Sequence, residues 1–315
     1  MFGLMITVWE VDGKEVRATS LEKWRKSASW VDCVQLSHTE QEALSQVTEI
    51  PLIQLKECIN FHKRPRVVVS QKYTMIVFRG VNQDLSHVHA VVIALFVFKN
   101  FIVTLHEKPI RALNLVRDIP KAQKAETLRE PFVLCYRVLE VVMNGFFQVM
   151  EEIEKEVDIV EGQAVRESSK MVPQRLFLLK KRLIYLQKAL SADRDVLASI
   201  ERLNIHEKLG RENFRDLYSD NAHLLDLVVT YRDVLTSVMD TFQSSINIHL
   251  NKVVKTLTVL AAYILVPTLI TGIYGMNFRF MPELSWKWGY LFSLVLMVLS
   301  IVVFHIYFKR KGWLA

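Results

Sequence analysis

The sequence predicts a protein of the α+β class, with an α/β domain first, a long helical stalk next and two membrane-spanning helices last. The composition supports this division, because 51% of the 315 residues are hydrophobic while 23% are charged. Such a mixture excludes both a disordered tail and a bundle embedded wholly in lipid. We expect residues 1–125 to form the α/β domain, 126–252 the stalk and 253–315 the membrane part.

The first domain is predicted from strand-like runs that alternate with helical stretches. The predicted strands are residues 4–9, 66–70, 73–79, 89–98 and 101–106, and the predicted helices are 39–47 and 52–62. Helical patterning then runs over 131–162, over about 173–208, and from about 213 into the membrane part. About 60 residues of continuous helix would measure about 90 Å, which is typical of a stalk.

The membrane part is predicted from two runs without any formal charge. Residues 256–278 give 23 such positions and residues 288–308 give 21, against about 20 needed to cross the hydrocarbon core. We expect helices at about 254–275 and 288–308. The nine residues between the runs, 279–287, leave room only for a short turn, so the helices form an antiparallel hairpin with both chain ends on one side.

Positive charges set the predicted orientation. Lys252 and Lys255 precede the first span, and a basic cluster at 309–311 follows the second, so both termini are expected in the cytoplasm of a cell (inner) membrane protein. The remaining positive charges are scattered, which argues against nucleic acid as a partner. The three cysteines are widely spaced and fit a reducing compartment. No catalytic motif was found in the sequence, so an enzyme is not predicted.

The first span carries a stripe of small or weakly polar residues at helical spacing. They are Asn251, Val254, Thr258, Ala261, Leu265, Thr268 and Gly272. Such a stripe is either a close-packing face for another helix or the lining of a pore. A lining would require several chains in a ring, because one or two helices cannot enclose a pore. Pro267 should bend the span.

Two motifs follow this stripe. They are Gly275-Met276-Asn277, and then Met281-Pro282-Glu283-Leu284, between the two spans. Together they resemble the CorA family of divalent-cation transporters, over roughly the last 70 residues. The resemblance implies a homopentameric funnel in the lipid bilayer, with the stalk helix continuing into the pore.

The chemistry of the motif fits a hydrated cation. Mg²⁺ dehydrates reluctantly, so accepting hydrogen bonds from its water shell is cheaper than stripping it. A ring of Asn277 carboxamides offers neutral acceptors, and Gly275 lets the backbone approach the axis. We therefore expect Gly275, Met276 and Asn277 to form a selectivity filter. The alternative for Asn277 is an ordinary helix C-cap.

One position departs from the family. Arg279 stands where relatives usually carry an acidic residue, and a ring of Arg279 would oppose cations at the outer mouth. Glu283 would partly offset that charge. Alternatively, Arg279 pairs with Glu283 or with a lipid phosphate and contributes little.

Regulatory sites are expected on the stalk. Asp240 belongs to a series of aspartates spaced seven residues apart, and Asp216 lies in a segment, 214–218, that resembles the regulatory Mg²⁺ segment of the family. Asp84 is its suggested partner on a neighbouring subunit. The alternative is that these aspartates are solvated helix surface.

The predicted function is a channel-like transporter that admits hydrated Mg²⁺, with Co²⁺ and Ni²⁺ as further candidates, into the cytoplasm. Mg²⁺ would be both substrate and regulatory ligand, with no other cofactor. Two alternatives stay open: a related Zn²⁺ transporter coupled to protons, against which Met276 argues, and a membrane-anchored coiled-coil scaffold without transport.

Overall fold

The structure is a computed structural model that describes residues 6–13, 15–59, 64–81, 90–107, 110–117, 121–166, 171–203, 211–277, 279 and 281–313. The chain divides into two compact units. The first, called the α/β unit here, contains Met1–Gln163 and Ser169–Val238. The second, called the hairpin unit, contains Ala164–Ser168 and Met239–Ala315.

The α/β unit contains one seven-stranded sheet with the order β2-β1-β3-β7-β6-β5-β4. Only β3 and β7 pair in parallel, and the other neighbours pair antiparallel. The strands are β1 Ile6–Asp12, β2 Glu15–Thr19, β3 Ser29–Val34, β4 Arg66–Val69, β5 Tyr73–Val81, β6 Ala90–Phe98 and β7 Phe101–His106.

The helices bear out the predicted order of a mixed domain followed by long helices. They are α1 His38–Thr48, α2 Leu52–Ile59, α3 Arg111–Arg117, α4 Lys121–Arg129, α5 Pro131–Arg166, α6 Met171–Arg202, α7 Arg211–Tyr274 and α8 Gly289–Arg310. Helix α7 has 64 residues, and its first part belongs to the α/β unit while the rest belongs to the hairpin unit.

Both faces of the sheet are covered, which explains why its central strands are apolar throughout. On one face, Leu44 of α1 and Leu55 of α2 join a core cluster that contains Phe96 of β6. Helix α6 lies against β4, β5 and β6. Phe78 of β5 is completely buried and lies outside that cluster, on the opposite side of the strand from its neighbour Val77.

A buried polar group lies in the middle of the sheet. One carboxylate oxygen of Asp32, Oδ1, accepts a hydrogen bond from Thr104 Oγ1 at 2.7 Å and lies 3.0 Å from His106 Nε2. Arg117 at the end of α3 pairs with the other oxygen. Burial alone would raise the pKa of Asp32, but the His106 hydrogen bond and the charges of His106 and Arg117 outweigh it, so the pKa is lowered.

A second buried carboxyl joins a helix to the sheet. Asp193 of α6 is fully buried, and its Oδ1 accepts a hydrogen bond from the backbone N–H of Arg79 in β5 at 2.8 Å. Burial raises the pKa of Asp193 well above its ordinary value, and Arg79 only partly opposes this shift.

The long helices of the α/β unit pack side by side. Arg182 of α6 bonds to Glu156 of α5 at 2.7 Å, as expected for antiparallel neighbours. The rings of Tyr136 in α5 and Phe214 in α7 lie 5.7 Å apart. Those of Phe147 and His223, further along the same two helices, lie 6.1 Å apart. Residue numbers therefore increase in the same direction along α5 and α7, so these two helices run parallel.

Candidate functional site

Three described helices are long and apolar enough to cross a membrane, judged by length and composition alone: Pro131–Ala164, Phe214–Tyr274 and Gly289–Arg310. Half of the apolar window of the first is buried inside the protein, whereas 11% is buried in each of the other two. The first is therefore a core helix of the α/β unit. The other two, which contain the predicted spans, expose the apolar surface that lipid or neighbouring chains would cover.

The hairpin unit places α7 against α8 through one face of α7. Tyr263 Oη lies 3.0 Å from His305 Nδ1, and the Tyr263 ring meets the Phe308 ring edge-on. Val259 and Ile270 are buried and share this face by helical periodicity. The Tyr263–His305 pair was not predicted from the sequence, although a histidine inside an uncharged span was a usable signal.

The predicted stripe lies on the opposite side of α7. At 100° per residue, its seven members centre about 170° from Tyr263. All seven are exposed: Asn251, Val254, Thr258, Ala261, Leu265, Thr268 and Gly272. The chain's own second span therefore does not pack against the stripe. The stripe is free to face another chain or a water-filled path.

Part of the stripe lines an open groove of about 780 Å³. Its lining residues are Ala261, Ile264, Leu265, Thr268, Leu269, Gly272, Ile273 and Met276. Two hydroxyls on the stripe are already engaged as donors, because Thr258 bonds to the Val254 carbonyl at 2.8 Å and Thr268 to the Ile264 carbonyl at 2.7 Å. Their oxygens can then only accept further hydrogen bonds, which suits the outward-pointing hydrogens of a hydrated cation.

The Gly-Met-Asn segment forms the turn at the end of α7. The N–H of Gly275 donates to the Thr271 carbonyl at 2.9 Å, and that of Met276 donates to the Ile273 carbonyl at 3.2 Å. A Cβ on Gly275 would lie 3.0 Å from the same Thr271 oxygen. The turn therefore favours glycine, since an added Cβ would force the backbone at the helix end to shift by a few tenths of an ångström.

Asn277 lies three residues beyond the end of α7, so it is not the residue that ends the helix. Its side chain is exposed. Met276 is also half exposed, at 49%, and contributes to the end of the groove. The three motif residues therefore present a neutral carboxamide and turn backbone at the end of the exposed stripe.

The outer turn is described in part. Arg279 is exposed, and a short 3₁₀ helix, Pro282–Ser285, follows it. Glu283 lies in this helix, but its side chain is outside the described part, so its pairing with Arg279 stays a prediction. Trp288 and Tyr290 are exposed at 63% and 79%, as is typical of aromatic residues at a lipid–water interface.

The predicted regulatory aspartates lie on α7 and are exposed. Asp216 belongs to the α/β unit and Asp240 to the hairpin unit. Asp84 lies outside the described residues. Across the part of the chain that is described, no group of three or more His, Cys, Asp and Glu side chains is placed to hold a metal ion. A site at Asp216 would need ligands from elsewhere, such as a second chain.

The charge of Asp216 acts on a phenol of the neighbouring helix α5. Burial raises the pKa of Tyr136 to about 12, with further contributions from the Glu140 carboxylate and from Asp216. Two carboxylates therefore act on one phenol between α5 and α7. Glu140 is also paired with Arg137 at 2.8 Å, and the Arg137 charge opposes part of the rise in the Tyr136 pKa.

Known proteins support the family assignment. A profile of the CorA-like Mg²⁺ transporter protein family matches residues 25–310. The chain is 31% identical to the cobalt/magnesium transport protein CorA of Thermotoga maritima, over 96% of this chain and 89% of that protein. It is also 31% identical to the protein of the same name from Methanocaldococcus jannaschii, over 90% of this chain and 91% of that protein.

The structural comparison agrees. The complete structure of the CorA magnesium transporter from Methanocaldococcus jannaschii matches with a TM-score of 0.87 and 27% identity, covering 100% of both chains. The match extends over the α/β unit and the hairpin unit, well beyond the 70 residues on which the sequence resemblance depended. The chain therefore belongs to the CorA-like Mg²⁺ transporter family.

Proposed function

We propose that this chain is a channel-like transporter that carries hydrated Mg²⁺ into the cytoplasm, with Co²⁺ and Ni²⁺ as further substrates. One observation carries the proposal: the exposed Gly275–Asn277 turn ends a helix whose exposed stripe faces away from its own partner, α8. Relatives named as cobalt/magnesium transport proteins support the choice of ions. The cell membrane is the proposed location, with both termini in the cytoplasm.

A ring of five chains is the proposed working assembly. A single α7 presents its stripe to open space, and only a closed ring can turn such a face into a bounded path. In this arrangement α7 is innermost and α8 lies outside it, because α8 contacts the opposite face of α7. The exposed apolar residues of α8, such as Val298 at 61%, would then face lipid.

The selecting step is proposed at Asn277. Five carboxamide oxygens would accept hydrogen bonds from the water shell of Mg²⁺, and a neutral ring would not hold the ion too tightly to release it. Downstream, the Thr268 and Thr258 oxygens and Asn251 would continue a path of acceptors. An inside-negative potential of 100 mV contributes about 4.6 kcal/mol for a divalent ion, so no nucleotide hydrolysis is required.

Arg279 would weaken cation attraction at the outer mouth. Its exposed side chain, repeated around a ring, would raise the local potential, and Glu283 would offset part of it. We therefore propose that selection depends on the neutral Asn277 ring more than on the charge of the outer turn.

Internal Mg²⁺ is the proposed regulator. Asp216 would bind the ion together with an acidic group of the neighbouring chain, and Asp84 is the suggested partner. Asp240 would bind Mg²⁺ further along α7, towards the first span. Bound Mg²⁺ would hold adjacent chains together in a closed ring, and its loss would let like charges repel each other and loosen the ring.

The test is uptake by the purified full chain in liposomes that contain a Mg²⁺-sensitive dye. We expect Mg²⁺ uptake that Co²⁺ and Ni²⁺ inhibit, and a more than tenfold loss in Asn277→Ala, because every copy loses a hydrogen-bond acceptor at the filter. Asn100→Ala, the same change at an exposed turn of the α/β unit, is the matched control and should leave uptake unchanged.

Three outcomes would contradict the proposal. Preferred uptake of Zn²⁺ over Mg²⁺ would favour the related zinc transporter. Absence of uptake for every divalent ion would favour a scaffold. A native mass that corresponds to one chain would remove the ring on which the path depends.

A further inference from the structure

Pro267 interrupts the hydrogen bonding of α7 in the middle of the groove. Because proline has no N–H, the carbonyl of Tyr263, four residues earlier, lacks its usual helical donor. Ile264 and Leu265 line the groove before the proline, and Thr268 and later residues line it afterwards. Helices usually bend at an internal proline, and a bend at Pro267 would set how the two halves of the groove meet.

Two contacts with α8 lie on either side of this proline. Tyr263, four residues before it, places Oη 3.0 Å from His305 Nδ1. Thr271, four residues after it, places Oγ1 4.0 Å from Met297 Sδ. Eight residues forward on α7 thus correspond to eight residues back on α8, so both contacts belong to one antiparallel register.

The Tyr263–His305 contact is the stronger of the two. The Thr271 hydroxyl already bonds to the Pro267 carbonyl at 2.9 Å, and sulfur is a weak acceptor. Tyr263 is held twice, by its hydroxyl and by the edge-on contact of its ring with buried Phe308. A histidine in an uncharged span is costly and needs such a partner.

We propose that Tyr263 and His305 are positioning residues for ion permeation: their hydrogen bond braces α7 against α8 beside Pro267 and so maintains the shape of the groove. The inference rests on the proposed transport function. Neither side chain touches the ion, because Tyr263 lies about 170° around α7 from the stripe. Removing the bond should lower the maximal uptake rate without changing recognition at Asn277, which lies 14 residues further along the chain.

The experiment measures initial Mg²⁺ uptake against external Mg²⁺ in liposomes for Tyr263→Phe, His305→Leu, His305→Asn and the double variant Tyr263→Phe with His305→Leu. His305→Asn is the rescue, because the Asn oxygen lies near the position of histidine Nδ1 and still accepts from the phenol. Tyr307→Phe is the matched control, since Tyr307 is on α8, 53% exposed and two residues from His305.

We expect Tyr263→Phe and His305→Leu to lower the maximal rate about 3- to 15-fold, the range that corresponds to measured hydrogen bonds between membrane helices. The apparent KM should stay within about twofold, His305→Asn should recover at least half of the rate, and the double variant should be no worse than the single ones. Native mass should be the same for all variants, since a merely structural defect would reduce assembly.

The proposal is overturned if Tyr263→Phe transports at the wild-type rate, if His305→Asn is as slow as His305→Leu, or if the two single losses add in the double variant. An inactive wild-type chain would instead overturn the transport function itself, together with this role. An active wild-type chain with an equally active Tyr263→Phe variant would overturn only the role of the pair.

Discussion

Gly275→Ala adds one methyl group at the most crowded point of the Gly-Met-Asn turn. The new Cβ would lie 3.0 Å from the backbone oxygen of Thr271, closer than real Cβ atoms normally approach an oxygen. That oxygen also accepts the Gly275 N–H at 2.9 Å. Because the clashing atom belongs to the backbone, a side-chain rotation cannot relieve the contact, and the last turn of α7 must move.

The cost follows from this contact. Overpacking of one methyl group typically costs about 1–3 kcal/mol. If the filter exchanges between the native turn and a displaced turn, this energy lowers the ratio of native to displaced turns about 5- to 150-fold. We therefore expect Gly275→Ala to lower Mg²⁺ uptake by at least fivefold, with normal expression, because the clash is at the end of the helix and outside the α/β unit.

Two other glycines provide comparisons in the same liposome assay. Gly162 of α5 has open space where an added Cβ would lie, so Gly162→Ala should be neutral or slightly stabilising. Gly272, on the stripe, also has open space where an added Cβ would lie. If the stripe faces water, Gly272→Ala should change uptake less than twofold.

The result that would refute this reasoning is full uptake by Gly275→Ala, since the turn would then tolerate the displaced backbone. A loss in Gly272→Ala as large as that in Gly275→Ala would show that another helix packs closely on the stripe. The two variants thus separate a pore lining from a packing face, which the spacing of small residues alone does not do.

Two further predictions concern acidic groups. Because the pKa of Asp193 is raised in the fold, this carboxyl stabilises the protein fully below its unfolded-state pKa of about 3.9, and less as the pH rises towards its native pKa. In thermal unfolding of the full chain, the Tm of Asp193→Asn relative to wild type should therefore increase between pH 4.5 and 7.5. A difference in Tm that does not depend on pH would contradict a buried, uncharged carboxyl. Asp216→Ala should raise, by about tenfold, the internal Mg²⁺ concentration that half-inhibits uptake, which corresponds to a coupling of about 1.4 kcal/mol. Asp195→Ala, at an exposed site on α6, is the control and should not change this concentration. Equal inhibition curves for Asp216→Ala and wild type would show that Asp216 takes no part in regulation.

The long apolar and helical segments were predictable from the sequence because their signals are local. The uncharged runs correspond to the end of α7 and to α8, which begins at Gly289 and ends at Arg310. Stepping by three and four residues also grouped the stripe correctly on one exposed face, since helical periodicity needs no tertiary information. Its exposure could not be derived in this way, because that depends on which face of α7 meets α8.

The strands between residues 15 and 34 were missed for a physical reason. β3 contains Ser29, Asp32 and Cys33, so it lacks the apolar run expected of a central strand, yet the whole strand is buried or nearly so. The Asp32 carboxylate is satisfied by partners far away in sequence, such as Thr104, which bonds to it at 2.7 Å. Local propensity cannot detect a strand whose stability depends on such distant pairing.

The composition of the groove supports the proposal that a transported ion would keep its water shell. Among the described residues that line it, Thr268 alone has a side-chain oxygen. A ring of five chains would therefore offer five hydroxyl oxygens at one level, whereas a bare Mg²⁺ needs six oxygens in octahedral geometry at about 2.1 Å. Aliphatic walls cannot replace the missing ligands, so dehydration in the groove would leave the ion without coordination. The proposed neutral acceptor ring at Asn277, which would bind the water shell, is consistent with this wall.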